Sequence, residues 1–326
     1  MTNFVSGKKV LVTGGTGSFG NHIVGWLAKM GPQSVTIFSR DENKQYHMRQ
    51  KLADNPLYRF EIGDVRDRER LVEVFRGVDV VFHAAALKHV PQCEDFPYEA
   101  VKTNIMGAKN VAEAALECGV KRLVAVSTDK AVKPINAMGI SKAMQEKIML
   151  NANRRNGTIF SVVRYGNVAG SRGSVIPYFR QLIDKKQALL VTNPDMTRYW
   201  LTLDDAIGLV FYALDHAKGG EIFVRKASSC NIMDLAETMG EVYGKRKGYP
   251  TKVVGIRPGE KIHEVLVSEE EMVRATEEDD YFVIHPHGTA GVPKLRKHWG
   301  EFSSANAERL SRKDLAALLE KIKMVD

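Results

Sequence analysis

Short apolar runs alternate with amphipathic stretches through the first half of the chain. The runs are continuous rather than alternating in polarity, which predicts strands buried on both faces of a parallel sheet. They lie at Lys9–Thr13, Ser34–Phe38, Tyr58–Ile62, Val78–His83, Leu123–Ser127 and Phe160–Arg164. The stretches between them, at 19–30, 41–53, 67–76, 99–117 and 138–154, have the spacing of helices. Strands that alternate with helices in this way predict an α/β fold with a doubly wound parallel sheet.

The pattern changes after residue 170, where loops become frequent and the apolar runs become short. We therefore expect a first domain at 1–170 and a smaller, mixed lobe at 171–326. One stretch, 203–217, has the pattern of a helix, and we expect it to return to the first domain.

Length, charge and cysteine content narrow the class of protein. A chain of 326 residues with a net charge of +8 suits one large domain or two modest ones with a basic surface. The charges are spread without a basic stripe, which favours a solvated surface or a pocket for an anionic small molecule over nucleic acid. No apolar run is long enough to span a membrane, and the first residues lack the apolar core of a secretory signal. The cysteines, Cys93, Cys118 and Cys230, are far apart, so we expect a reduced, cytoplasmic protein without a cysteine-based metal site.

A glycine-rich turn follows the first predicted strand. Its glycines, at 14, 17 and 20, stand between a strand and a helix. Glycine permits a tight turn there and lets backbone amides approach a pyrophosphate, which the helix N-terminus then faces. We therefore predict a dinucleotide site. Its predicted residues in this turn are Gly14, Thr16, Gly17, Ser18, Phe19 and Gly20.

The end of the second strand predicts which dinucleotide binds. An acidic residue there favours NAD, whereas this chain has Ser39 and Arg40, with Lys44 nearby, which suit the 2′-phosphate of NADP. The alternative is that Asp41 binds the ribose of NAD and Arg40 is solvated. Two further segments are expected near the cofactor because they follow the third and fourth strands. They are Asp64-Val65, beside the adenine, and Ala84-Ala85-Ala86.

Several phrases resemble the extended short-chain dehydrogenase/reductase family, and within it the UDP-N-acetylglucosamine 4,6-dehydratases that invert C5. They are TGGTGSFG, IFSRDE, GDVRD, FHAAALKHVP, STDKAVKPINAMGISKAM, RYGNVAGSRGSVIP, MTRYWLTLDDA and RPGEK. The resemblance covers most of the chain. It implies a Rossmann domain for NADP at 1–170, a UDP-sugar-binding lobe at 171–326 and a homo-oligomer.

The family's redox pair, Tyr-x-x-x-Lys, is incomplete here. The i,i+4 spacing places both side chains on one helix face, but this chain has Met138 where the tyrosine stands, followed by Lys142. A thioether cannot transfer a proton, although the capsule-type dehydratases resemble this chain in having methionine at that position. The base for the 4-hydroxyl is thus open between Lys142 and Lys130. We also expect Lys142 to bind the cofactor by holding the nicotinamide ribose.

Thr128-Asp129-Lys130 follows the fifth predicted strand, where ligands bind in open α/β sheets. By resemblance, Asp129 is the acid that protonates the departing 6-hydroxyl and Lys130 is the base that removes H5. The acid needs a raised pKa and the base a lowered one, and we expect partial burial to provide both.

The resemblance also implies which residues bind the UDP-sugar. Arginine offers a bidentate fork to phosphate, and the other residues offer polar groups to the sugar, the uridine and its ribose. The predicted set is Lys88, His89, Asn167, Ser174, Val175, Arg198, Arg257 and Glu260. We interpret His263 as structural, and no cluster has metal-ligand spacing, so no metal is expected.

The leading hypothesis is a UDP-N-acetylglucosamine 4,6-dehydratase of surface-glycan synthesis that inverts C5. The alternatives are a UDP-HexNAc 4-epimerase, a 5,6-dehydratase and a non-catalytic dinucleotide-binding regulator. An epimerase has no use for Asp129-Lys130 and normally needs the missing tyrosine.

Overall fold

The computed structural model describes residues 4–53, 55–171, 173–288 and 300–322. The predicted domains 1–170 and 171–326 also include residues outside this part of the chain. In order, the strands of the described residues are Lys9–Thr13 (β1), Ser34–Ser39 (β2), Tyr58–Ile62 (β3), Val80–His83 (β4), Arg122–Val126 (β5), Ile159–Arg164 (β6), Asn167–Val168 (β7), Leu189–Val191 (β8), Thr197–Leu201 (β9), Ile222–Arg225 (β10), Ser229–Asn231 (β11), Thr251–Val253 (β12), Val265–Val267 (β13), Ala275–Glu277 (β14), Tyr281–Ile284 (β15) and Phe302–Ser303 (β16).

The α-helices of the described residues are Ser18–Leu27 (α1), Glu42–Lys51 (α2), Arg68–Phe75 (α3), Val90–Asp95 (α4), Pro97–Ala100 (α5), Gly107–Glu117 (α6), Ala137–Ala152 (α7), Val175–Asp184 (α8), Leu203–His216 (α9), Ile232–Val242 (α10), Glu269–Met272 (α11) and Arg312–Lys321 (α12). Short 3₁₀ turns lie at Ala28–Met30 and Asp129–Ala131, and a π-helical segment, Val101–Met106, joins α5 to α6.

Within the described residues, nine strands form one sheet in the order β14-β15-β10-β6-β5-β4-β1-β2-β3. The seven strands from β10 to β3 pair in parallel, and β15 and β14 add an antiparallel edge. The predicted α/β fold with a doubly wound parallel sheet is confirmed. All six predicted strands are present, with ends that shift by at most two residues.

The sheet is covered on both faces, as parallel sheets require. One apolar cluster joins strand residues such as Leu11 and Leu123 to α3, α6 and α7, and the other joins Val10 and Val124 to α1 and α9. Helix α9 therefore packs against the large sheet although it lies late in the chain. Three strands of the second half, β10, β14 and β15, also belong to this sheet.

A third apolar cluster lies in the second lobe, among α8, α10, α12 and strands β8 and β9. Its small sheets are β11-β9-β7, β12-β8 and β13-β16. Strand β13 lies against the 3₁₀ turn Asp129–Ala131, so the second lobe reaches the carboxyl end of β5. Among the described residues, none of the helices combines the length and apolar character that crossing a membrane requires.

Candidate active site

The glycine turn between β1 and α1 lies directly against the end of β4. Gly14 has φ +68°, and a Cβ there would lie 2.8 Å from the amide nitrogen of Ala85. Gly17 is the N-cap of α1 and brings no side chain to the first turn of the helix. A side chain at either glycine would fill this cradle. Without such a side chain, the cradle fits a pyrophosphate that is held by backbone amides. The turn and the partly buried Ala84-Ala85-Ala86 segment are thus brought together.

Ser39 lies under the turn rather than open to solvent. Its hydroxyl accepts a hydrogen bond from Thr16 Oγ1 at 3.1 Å, and the Gln45 amide donates to its carbonyl at 2.9 Å. Arg40 is exposed at the mouth of the site, with one guanidinium nitrogen 3.6 Å from Asp64 Oδ2. Arg40 is therefore the side chain of this pair that can reach a 2′-phosphate.

Asp41, the alternative ribose ligand, caps helix α2. Its carboxylate accepts from the backbone amide of Lys44 at 2.9 Å and lies 2.6 Å from Lys44 Nζ. Lys44 thus neutralises Asp41 in this structure.

Val65 is buried and packs where α6 begins, since a Cβ on Gly107 would touch its Cγ2.

Asn104, which the sequence analysis did not single out, fastens the loop after β4. Its side-chain oxygen accepts from Leu87 N at 2.8 Å, and its nitrogen donates to Leu87 O at 2.9 Å and to Ser141 Oγ at 2.9 Å. It lies in the π-helical segment, an irregularity common at functional sites. The bonds tie the loop that carries Lys88 to helix α7, which carries Lys142.

Asp129 and Lys130 are in contact in the 3₁₀ turn after β5. Lys130 Nζ lies 3.0 Å from Asp129 Oδ1, which also accepts from the Thr128 hydroxyl at 2.8 Å. The Asp129 side chain is fully buried, and that of Lys130 is 24% exposed. The predicted acid and base are therefore adjacent, and Lys130 retains access to a ligand.

A second carboxylate, Glu264, reaches Lys130 from the opposite lobe. Its Oε1 lies 3.4 Å from Lys130 Nζ, and its side chain is 3% exposed. Burial lowers the pKa of Lys130, but the charges of Asp129 and Glu264 raise it by more. The net shift of this pKa is therefore upward. The expectation of a lowered pKa at Lys130 is therefore wrong, because it did not include a carboxylate distant in sequence.

The pKa of Lys142 falls, unlike that of Lys130. It is buried on α7 and donates to Val126 O at 2.7 Å and to Gln145 Oε1 at 2.6 Å. Burial lowers its pKa to about 8, against a smaller upward effect of Glu146. The neutral amine that a base needs is thus accessible near neutral pH at Lys142.

His83 lies at the end of β4, and its pKa is affected by the charge of Lys142. It is fully buried, and its Nδ1 lies 2.8 Å from the Thr13 hydroxyl across the β1–β4 pair. Burial and the Lys142 charge lower its pKa to about 3. His83 is therefore neutral and adds no positive charge beside Lys142.

The side chain of Met138 is not exposed in the site, as that of a proton-transfer group would be. It is buried and packs in a small apolar cluster with Cys93 and Ala100, bordered by Leu87 and Val90. Its backbone carbonyl accepts from the Ser141 hydroxyl. The residue that replaces tyrosine thus has a packing role in this structure.

The predicted sugar-side residues lie on loops that face one another. A Cβ on Gly173 would clash with His89, at 2.3 Å from its Cε1, so the segment before α8 lies against the loop after β4. His89 and Lys88 are exposed, Ser174 is the N-cap of α8 and Val175 is its first residue. Asn167 lies on β7, and its side-chain oxygen is buried without a hydrogen-bond partner among the described residues.

The arginine of β9 is positioned differently from the exposed arginine of the RPGEK segment. Arg198 is buried and donates to the carbonyls of Thr197 and Lys261, at 2.7 and 2.9 Å. Arg257 is exposed, and Glu260 folds back onto the amide of Arg257 at 3.2 Å. The described residues contain no group of histidine, cysteine, aspartate or glutamate side chains arranged to hold a metal.

A family model described as polysaccharide biosynthesis protein matches residues 10–286. The chain belongs to this family. A Methanocaldococcus jannaschii protein named as an uncharacterized membrane protein is 42% identical over 99% of this chain and 98% of its own length. A Rickettsia akari protein named UDP-glucose 4-epimerase is also 42% identical, over 96% and 95% of the two chains.

Solved structures agree with this assignment. The X-ray structure of Pen from Bacillus thuringiensis has a TM-score of 0.91 at 38% identity and covers 98% of this chain and 100% of its own. DesIV of Streptomyces venezuelae, a dTDP-glucose 4,6-dehydratase with NAD bound, has a TM-score of 0.72 at 23% identity, over 78% and 86%. The fold is thus the extended short-chain dehydrogenase/reductase fold, which this chain shares with a nucleotide-sugar dehydratase.

Proposed function

We propose that this chain is a UDP-N-acetylglucosamine 4,6-dehydratase that inverts C5 and uses NADP. The observation that carries the proposal is the contact of Asp129 with Lys130, at 3.0 Å, at the carboxyl end of β5. Removal of H5 and loss of the 6-hydroxyl need a base and an acid on neighbouring atoms of the sugar. Adjacent side chains in a turn that points to the ligand edge of the sheet can supply both.

The proton transfers follow from the two lysine sites. Lys142, with its lowered pKa, accepts the proton of the 4-hydroxyl. A bound nicotinamide would supply the redox chemistry, taking the hydride of C4 and returning it to C6. With C4 a ketone, Lys130 removes H5 in its neutral form, which its raised pKa makes the minor form at neutral pH. The electron pair of that C–H bond forms a C5=C6 double bond. The C6–O bond breaks, and Asp129 gives its proton to the departing hydroxyl, which leaves as water.

The glycine cradle and Arg40 would hold the cofactor. Arg40 is exposed beside the turn, and its ion pair with Asp64, at 3.6 Å, is long enough to rearrange. We expect Arg40→Ala to weaken NADP binding by about 1.5–3 kcal/mol, the value of a charge-assisted bond, and NAD binding much less. The measurement is the affinity for both cofactors in the two proteins. An unchanged ratio would remove Arg40 from this role.

The loops of the second lobe would hold the UDP-sugar. Arg257 is exposed and suits the diphosphate, and Glu260 in the same turn suits the hydroxyls of the uridine ribose. His89 lies against the segment before α8, and His89 and Lys88 would contact the sugar. Arg198 now donates to backbone carbonyls, so its contact with the diphosphate requires that it exchange some of these bonds.

A UDP-sugar 4-epimerase is the second candidate, because relatives that are 42% identical have that name. Epimerisation needs only oxidation and reduction at C4, which Lys142 can serve. Epimerisation therefore gives Asp129 and Lys130 no role in the reaction. The two reactions share their first step and then diverge at H5.

Isotope labels separate these reactions in one experiment. UDP-N-acetylglucosamine with deuterium at C4 is incubated with the enzyme, and the product is examined by NMR. The dehydratase delivers the label to C6, and in deuterated water it places solvent deuterium at C5, with the inverted configuration in early product. A label that returns to C4 with an inverted centre there would establish the epimerase. An exocyclic alkene would indicate the 5,6-dehydratase, and no conversion would favour the regulator.

We also propose that the chain forms a homo-oligomer. Large apolar side chains are exposed on helices α5 and α7, which pack against one another. Phe96 precedes α5, Tyr98 lies on it, and Ile140 and Met144 lie one turn apart on α7. Such clusters usually mark an interface. Light scattering should give a mass above one chain, and Ile140→Lys should lower it.

A further inference from the structure

A basic surface lies where helices α8 and α10 of the second lobe end. The two helices are side by side, and the guanidinium carbon of Arg180 lies 4.5 Å from the ring centroid of Tyr243. The segments that follow them also meet, since Leu189 N donates to Pro250 O at 2.8 Å and β8 pairs with β12. The sequence analysis found the charges spread, but the fold brings exposed cations from three stretches together here. The basic surface consists of Lys185, Lys186, Lys245, Arg246, Lys247 and Lys252.

The cations of the basic surface are not used to hold the lobe together. Among the described residues, the ion pairs of α8, α10 and α12 involve Arg180 and Arg312 and none of these six side chains. A lysine in the last turn of a helix stabilises the helix dipole, but the effect does not extend beyond that turn. Lys247 follows the end of α10 by five residues, and Lys252 lies on a strand. Helix capping therefore does not account for the set.

Apolar side chains are exposed directly beside these cations. Val253 follows Lys252 on β12 and is 54% exposed, and Val254 is 45% exposed. The backbone there is held in place, since Val254 N donates to Val191 O at 2.9 Å. Among the described residues, β12 pairs with β8 alone, so its outer edge is open. Cations beside exposed aliphatic side chains are the combination with which proteins bind the surface of an anionic bilayer.

We propose that the basic surface, together with Val253 and Val254, docks this protein on a membrane that carries anionic lipids. The cations face the lipid phosphates, and the two valines enter the boundary between headgroups and acyl chains. A second copy of the chain is a poorer occupant, because each copy has a net charge of +8 and would bring more positive charge to the surface. A nucleic acid matches the cations, but its bases stack on aromatic rings rather than on valines. The inference does not depend on which reaction the protein catalyses.

The first test measures binding to vesicles by co-sedimentation, without nucleotide sugar. The wild type should bind vesicles that contain phosphatidylglycerol and phosphatidylcholine, and it should not bind phosphatidylcholine alone. Added salt should weaken the binding because it screens the charges. In the double variant Lys245→Gln/Lys247→Gln, we expect the affinity to fall by about 30-fold, which is about fivefold for each cation removed near the lipid surface.

The double variant Arg154→Gln/Arg155→Gln is the matched control. These two arginines are also adjacent in sequence and exposed, and they follow α7 in the first domain. Their replacement removes the same two charges from a different surface, so the affinity should stay within about twofold of the wild type. An equal loss of affinity in both double variants would show that only the net charge matters, and the basic surface would lose this role.

Val253→Ser tests the apolar part of the surface. We expect it to weaken binding to the anionic vesicles by about fivefold and to make the remaining binding more sensitive to salt, because apolar contact with lipid is not screened. A DNA duplex is the competing occupant. If the duplex binds as tightly as the vesicles at equal phosphate concentration and Val253→Ser binds vesicles normally, the surface is a general polyanion site and the membrane assignment is wrong. A wild type that does not bind anionic vesicles at physiological ionic strength also overturns the inference.

Discussion

Lys130 and Lys142 lie at the same end of the sheet, yet their surroundings move their pKa values in opposite directions. Burial lowers both values. At Lys130, the effect of two carboxylates on the pKa outweighs that of burial. Lys142 donates hydrogen bonds to a backbone carbonyl and a side-chain amide oxygen, which carry no net charge, and its pKa falls to about 8. Glu146, the carboxylate that acts on Lys142, is bound by Arg164. The comparison shows that carboxylates close to a lysine can outweigh the effect of burial on its pKa.

The largest effect is expected at the Lys130 site. Lys130→Ala and Asp129→Asn should each slow keto-sugar formation by about 100-fold or more, because each removes a proton-transfer group. The measurement is the rate of product formation at saturating UDP-N-acetylglucosamine. Turnover near that of the wild type in Lys130→Ala would assign the H5 base elsewhere and remove the contrast between the two lysines.

The next effect concerns the buried ion network behind Lys142. Arg164 makes bidentate contacts with Glu146, at 2.6 and 2.8 Å, and also binds Glu271 of α11 at 2.7 Å. Arg164→Met would leave two largely buried carboxylates without their partner and should lower the free energy of unfolding by about 3–5 kcal/mol. Denaturant titration of both proteins measures this. The substitution Arg164→Met should also raise the pKa of Lys142, because Glu146 would then have lost its arginine partner.

The pH dependence of stability tests the opposite shifts directly. The pKa of Lys142 falls from 10.5 to about 8 on folding, so between these values the unfolded chain holds a proton that the folded chain lacks. Stability should therefore rise with pH across this window, by about 3 kcal/mol in total. The raised pKa of Lys130 acts with the other sign, since its contribution is lost only as pH rises above 10.5.

Unfolding of Lys142→Met and Lys130→Met between pH 8 and 10.5 checks this difference. The gap between wild type and Lys142→Met should change across the window, and the gap for Lys130→Met should stay constant. A constant gap for Lys142→Met would mean that its pKa is ordinary in the folded protein.

The smallest effect on turnover is expected at Met138. It packs with Cys93 and Ala100, so Met138→Ala should lower stability by about 2 kcal/mol through the cavity it leaves. Turnover should remain substantial, because a thioether transfers no proton. Turnover that falls as far as in Lys130→Ala, with normal folding, would show that Met138 shapes the reacting geometry.

The sequence predicted the large sheet well because its strands are continuous apolar runs with local signals. It also predicted the adjacency of Asp129 and Lys130, since neighbours in sequence need no fold to meet. The electrostatics of the site depend on contacts across about 130 residues, between Lys130 and Glu264, and no local pattern shows these. The only sequence signal for Glu264 was a single charge before the apolar run Val265–Val267. Asn104 gave no signal, because its role arises from the π-helical segment.

The segment 257–264 touches both helix α7 and the turn that carries Asp129 and Lys130. Asn136, the N-cap of α7, donates to Gly259 O at 2.8 Å, and a Cβ on Gly259 would lie 2.9 Å from Asn136 Cβ. Five residues later, Glu264 reaches Lys130. An exchange of the second lobe between related proteins would therefore also exchange the carboxylate that lies 3.4 Å from Lys130 Nζ. A productive chimera has to inherit residues 128–142 and 257–264 from the same parent.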